Sequence, residues 1–109
     1  MKTIIAGGRD YRLSYEDLLY LSELNITEVV SGGSRGADTD GETYAGMTDI
    51  PLKKFPADWN KYGKSAGYRR NVEMAEYAEA VVLFPGGKGT NHMFDIAKKF
   101  GLIIYDRRN

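Results

Sequence analysis

The sequence predicts one Rossmann-like, three-layer α/β domain over residues 1–109, with a parallel sheet of about five strands in the order 3-2-1-4-5. Three observations carry that expectation. Apolar runs alternate with helical periods along the whole chain. The runs are continuously apolar, as in strands buried on both faces. Three of them end in glycine-rich turns, a common exit from a parallel strand into a helix.

The first run is Thr3–Ala6, and the second, Glu28–Ser31, centres on Val29 and Val30. Pro51–Phe55 is weaker, Ala80–Phe84 is the strongest, and Leu102–Tyr105 closes the set. Between the first two, Ser14-Tyr15-Glu16-Asp17 has the form of a capping box, followed by Leu18, Leu19, Leu21 and Leu24. Arg35–Gly46 reads as a glycine-broken second helix. Ser65–Glu79 reads as a third, with Val72, Ala75 and Ala78 on one side. Thr90–Phe100 is the clearest helix. Its apolar face is Met93, Phe94, Ala97 and Phe100, and Gly101 is placed to cap it. The longest irregular stretch, Pro56–Lys64, holds the single tryptophan, Trp59.

Composition bounds the function. Lys plus Arg and Asp plus Glu number 15 each, so the formal net charge is zero. That balance argues against a protein that coats nucleic acid by bulk electrostatics, but not against a local basic pocket. The chain has no cysteine, which excludes disulfides, thiolate metal sites and a cysteine nucleophile. With one histidine and no cysteine, no metal site is expected, and no cofactor is called for. No apolar stretch approaches the ~20 residues that span a bilayer. The N-terminal apolar run is too short for a signal peptide. A cytoplasmic location with no membrane partner is the expectation.

The glycines cluster at strand ends. Gly7-Gly8-Arg9-Asp10 follows the first strand, Gly32-Gly33-Ser34-Arg35-Gly36-Ala37-Asp38 the second, and Pro85-Gly86-Gly87-Lys88-Gly89-Thr90 the fourth. Glycine lets backbone N–H groups approach a ligand with no Cβ in the way. The helix N-terminus that follows adds unpaired donors and partial positive charge. Phosphate is the natural guest, and each turn has a basic residue beside it. Neither a Walker A loop nor a strict G-x-G-x-x-G is present. The alternative is that the glycine pairs only make tight turns.

Together with Ala57-Asp58-Trp59 and Gly67-Tyr68-Arg69-Arg70-Asn71-Val72-Glu73-Met74, these motifs resemble the YspA-like group of the SLOG superfamily. That superfamily joins the DNA-processing SMF proteins and the LONELY GUY phosphoribohydrolases. The resemblance covers nearly the whole chain and implies a Rossmannoid fold with a nucleotide-type ligand. LONELY GUY-type relatives that cleave the N-glycosidic bond of nucleoside 5′-monophosphates carry P-G-G-x-G-T-x-x-E and an upstream R-K-x-x-M segment. Pro85–Thr90 match the first motif, and Arg70–Met74 resemble the second. The motif glutamate is Met93 here, and a thioether can neither take a proton nor stabilise an oxocarbenium ion.

The candidate ligand set is therefore Gly7, Gly8, Arg9, Gly32, Gly33, Ser34, Arg35, Asp38, Trp59, Arg70, Asn71, Gly86, Gly87, Lys88, Gly89 and Thr90. Arg70 is the phosphate or ribose ligand that the motif match implies. Asn71 could meet a base or sugar edge, or hold its loop. Asp38 could orient a ribose diol, cap a helix or pair with Arg35; Asp10 is similar and Asp40 weaker. Trp59 could stack on a base or plug its loop onto the domain. His92 could touch a ligand phosphate but reads rather as solvent-facing, and Lys53, Lys54, Lys61 and Lys64 could flank a phosphate but read rather as a solvated basic run.

Three functions compete. The first is a binder of a nucleotide-derived small molecule, acting as sensor, sequestering or accessory protein. The second is a nucleotide hydrolase acting at an N-glycosidic or phosphate bond. Without the motif glutamate it would need Arg70 together with Asp38, Asp10 or Asp95 as acid or base. Asp95 follows Met93 by about 200° around a helix and so points elsewhere. The third is a DNA-binding module, against which size and neutral charge both weigh. Small domains of this kind commonly self-associate, and a homo-oligomer is left open.

Overall fold

A computed structural model describes residues 1–109. Its sheet contains β1 (Lys2–Ala6), β2 (Glu28–Ser31), β3 (Leu52–Lys54), β4 (Ala80–Leu83) and β5 (Ile103–Asp106). Every pairing is parallel, and the order is β3-β2-β1-β4-β5. The helices are α1 (Tyr15–Glu23), α2 (Ala37–Met47), α3 (Trp59–Tyr62), α4 (Ala66–Tyr77) and α5 (Lys88–Lys99). The expected architecture and strand order are thus both present. No helix is long and apolar enough to cross a membrane.

The central strands explain the continuous apolar runs. Ile4, Ile5, Val29, Val30 and Val81–Phe84 are fully buried because helices cover both faces. On one face Ile5, Val29, Val82 and Phe84 pack with Leu21 of α1 and with Tyr44 and Ala45 of α2. On the other, Ile4, Val30, Val81 and Leu83 pack with Met74 and Ala75 of α4 and with Met93 and Ala97 of α5. The edge strands differ: β3 is exposed throughout and β5 is only half-covered, so their weaker apolar patterns follow from position.

The capping box at α1 forms: the Asp17 amide donates to Ser14 Oγ at 3.1 Å, and the Ser14 amide to Asp17 Oδ2 at 3.0 Å. Gly101 closes α5 with φ of 73°, its amide donating to Lys98. Four details depart from the expected pattern. Leu19 and Phe100 face solvent rather than the core. The irregular stretch Pro56–Lys64 contains α3, whose cap is Asp58 accepting from the Lys61 amide. Finally, α5 begins at Lys88, two residues before Thr90.

Candidate functional site

An all-parallel sheet brings the C-terminal ends of β1, β2 and β4 to one edge. β1 and β4 are neighbours whose following helices, α1 and α5, lie on opposite faces. A crevice opens at such a switch point. Its base is backbone packed on backbone. The Gly8 amide donates to the Pro85 carbonyl at 2.8 Å. A Cβ on Gly8 would lie 3.0 Å from Gly86 Cα, and one on Gly86 would collide with the Thr90 hydroxyl. Gly36 has φ of 79°, and a Cβ there would strike the carbonyls of Gly8 and Arg9. These glycines are required by the fold itself. Gly87 and Gly89 face no such barrier: a Cβ on either meets nothing within 4 Å, and neither has positive φ, although Gly87 is also the N-cap of α5, a position that suits glycine. Both line the crevice.

The crevice is a cleft of about 410 Å³. Arg9, Lys64, Arg70 and Lys88 line it, with Asp38 as the one carboxyl. None of those four cations belongs to the chain's four ion pairs, which are Arg12–Asp40, Arg35–Asp10, Lys54–Glu42 and Arg108–Asp106. Arg70 is held in place from α4. Its Nη1 donates to the Gly32 carbonyl at 2.5 Å and its Nε to Asn71 Oδ1 at 3.3 Å. Its guanidinium lies over Gly32, where a Cβ would come within 2.8 Å of it. Burial lowers the pKa of Arg70, with Asp38 opposing that effect and the like charge of Arg9 adding to it.

Asp38 sits in the first turn of α2 and is almost fully buried. Desolvation pushes its pKa up to about 6, although the Ser34 and Gly7 amides and the Arg70 charge pull it down. The Ser34 amide donates to its Oδ2 at 3.3 Å. Asp38 therefore holds the β2–α2 turn and does not pair with Arg35, whose partner is Asp10 at 3.1 Å. Asn71 is buried. It donates through Nδ2 to the Gly89 carbonyl at 3.3 Å and lies 3.1 Å from His92 Nδ1, tying α4 to the start of α5.

The structure brings most of the candidate set into this cleft: Gly7, Gly8, Arg9, Ser34, Asp38, Trp59, Arg70, Asn71, Gly87, Lys88, Gly89 and Thr90 all line it. Gly86 packs beneath it. Gly32, Gly33 and Arg35 line a second lobe of about 540 Å³ over the ends of β2 and β3, which shares Arg9, Ser34, Trp59 and Arg70 with the first. Asp10 and Asp40 line neither lobe: Asp10 pairs with Arg35 in solvent, Asp40 is mostly covered and held by Arg12 and the Leu13 amide, and Asp95 is exposed on α5. No three His, Asp or Glu side chains come together as a metal-binding group.

One expectation needs correction. His92 is half-buried, its ring tilted against Tyr68 with centroids 4.4 Å apart, and burial lowers its pKa, so it is a packing residue rather than a solvent-facing one. Lys64 and Lys54 are exposed, as a solvated run requires, and each also lines a lobe. A signal for Lys64 existed, because Lys64, Gly67, Asn71 and Met74 recur at helical spacing and all line the first lobe. Met93 is fully buried and serves two surfaces, the core under α5 and the floor of the cleft.

No family model matches the chain, and no solved structure matches it. A curated relative does. The Gene 61 protein of Mycobacterium phage D29 is 40% identical over 84 residues, covering 70% of this chain and 67% of the relative. With that identity and coverage, the chain belongs to the family of the phage D29 Gene 61 protein.

Proposed function

We propose that the chain binds a phosphate-bearing nucleotide or nucleotide-derived small molecule in the cleft between the β1 and β4 ends. We further propose that it does so as a sensor, sequestering or accessory protein of the SLOG type, YspA-like, working in the cytoplasm. One observation carries this reading. Two glycines with no packing partner, Gly87 and Gly89, face a cleft with four cations outside any ion pair and a single carboxyl. Cations crowded this way repel one another, as Arg9 and Arg70 do, and an anion relieves that repulsion. The Lys88 end of α5 adds its unpaired amides to the same anion.

Binding without efficient hydrolysis is favoured by Met93. Cleaving an N-glycosidic bond builds positive charge on the ribose and needs an activated water, and a carboxylate serves both needs. The cleft floor offers a thioether there. A hydrolytic reading rests on Asp38 alone, whose raised pKa suits a general acid or base. The deciding experiment measures thermal shift and calorimetric binding with nucleoside 5′-monophosphates and the matching nucleosides, with chromatography of the products. We expect a phosphate-dependent shift with the nucleotide recovered intact. Free base released at a catalytic rate, and lost in Asp38→Asn, would move the protein to the enzyme class. No shift with any nucleotide would remove the reading altogether.

A further inference from the structure

We propose that the ligand carries two non-adjacent phosphoryl groups, one in each lobe, with an aromatic base between them on Trp59. This rests on the reading that the first lobe holds a nucleotide phosphate. The second lobe is as basic as the first. Arg9, Arg35, Lys54 and Arg70 line it, and no carboxyl does. Arg35 and Lys54 have acidic partners, Asp10 and Glu42. The Arg35–Asp10 pair is exposed on both sides and exchanges readily for a better anion; Glu42 is mostly covered, but Lys54 is itself exposed and lies 3.5 Å from it, so its ammonium can turn to an anion in the lobe. Gly33, with φ of 80°, opens the backbone of this lobe, since a Cβ there would approach only the Glu42 carboxylate, at 4.0 Å.

The geometry sets the spacing. β4 and β2 flank β1 on either side. Two strand spacings separate their ends by roughly 9–10 Å, too far for the adjacent phosphates of a diphosphate to reach both lobes. Arg9, Ser34, Trp59 and Arg70 form the shared wall, so a ligand crossing it stays in contact with cations throughout. Trp59 is half-exposed, and the edge of its indole packs on Gly67, where a Cβ would lie 3.3 Å away. An indole braced in this way is a platform for a base, and every base has a face to offer it.

The test compares four probes by calorimetry: adenosine 5′-monophosphate, adenosine 5′-diphosphate, adenosine 3′,5′-bisphosphate and a 5′-phosphorylated adenine dinucleotide. The bisphosphate or the dinucleotide should bind at least ten-fold tighter than both the monophosphate and the diphosphate. Lys54→Ala should remove most of that gain while weakening the monophosphate by no more than about two-fold. Lys53→Ala makes the same change in net charge beside it, but Lys53 lines neither lobe, and the gain should survive. A diphosphate that matches the non-adjacent probes would overturn the inference, as would equal losses from Lys54→Ala and Lys53→Ala; monophosphate binding would leave the first-lobe reading standing. If no probe binds, both readings fall together.

Discussion

Two sets of glycines lie within a few residues of each other at the same sheet edge, and they are glycines for different reasons. Gly8, Gly36 and Gly86 are pressed against backbone or a buried hydroxyl, and any side chain would push β1, α2 and β4 apart. A Cβ on Gly87 or Gly89 would meet nothing, and Gly89 lies in the first turn of a helix, where glycine is a weaker choice than alanine. The first set is accounted for by folding. The second is under no steric demand from the fold, although Gly87 also serves as the N-cap of α5, and both line the cleft proposed to take a ligand. Fold and site can therefore be separated by mutation, although both depend on one residue type in one pair of loops.

The largest expected effect breaks the first set. Gly36→Ala combines positive φ with a collision against two carbonyls. It should cost about 3–5 kcal/mol, a large share of the stability of a domain of this size. Urea denaturation checks this, and a loss below about 1 kcal/mol would mean that the packed set is not structurally required.

Next comes Asp38, the carboxyl that shares the cleft with the open set. Its folded pKa is raised from 3.8 to about 6, so the folded chain holds this proton more tightly than the unfolded one. Its contribution is fully favourable below pH 3.8 and is lost as pH rises through about 6. At pH 8 the buried charge should destabilise the fold by about 2–3 kcal/mol. Asp38→Asn should therefore be more stable than the parent by about 2 kcal/mol at pH 8, with the difference vanishing near pH 4. A pH-independent difference would place the shift elsewhere.

Gly87→Val acts on the open set. The site has room for a side chain, but Gly87 is the N-cap of α5, where valine is a poor substitute, so the fold should lose about 1 kcal/mol while persisting. Binding of a nucleoside monophosphate should weaken more than ten-fold, about 1.4 kcal/mol. Calorimetry beside a denaturation curve separates the two, and a folded variant with full affinity would exclude this loop from the site.

Much of this was legible in the sequence, for identifiable reasons. The runs Thr3–Ala6 and Ala80–Phe84 are apolar throughout because helices cover both faces, and that alone implies a parallel sheet. The strand-end glycines and Arg70 then fall along one edge by topology. What could not be read needs a third dimension. Nothing local distinguishes Gly86 from Gly87, since the difference is whether Thr90 and Gly8 lie behind the residue. Arg35 could reach either Asp38 or Asp10, and the burial of Asp38 under the β1 turn decides it. His92 is drawn inward by Tyr68 and Asn71, both on another helix. Trp59 belongs to a four-residue helix too short for periodicity to reveal.

The most direct test of the division between packed and open glycines is Gly89→Ala, which puts a methyl group on the cleft wall and a better residue into α5. Stability and affinity for a nucleoside 5′-monophosphate are measured on the same preparation. The fold should gain about 0.5 kcal/mol, while affinity should fall at least five-fold, about 1 kcal/mol. A variant that is stabilised and binds as well as the parent would contradict the claim that this glycine is kept open for a ligand.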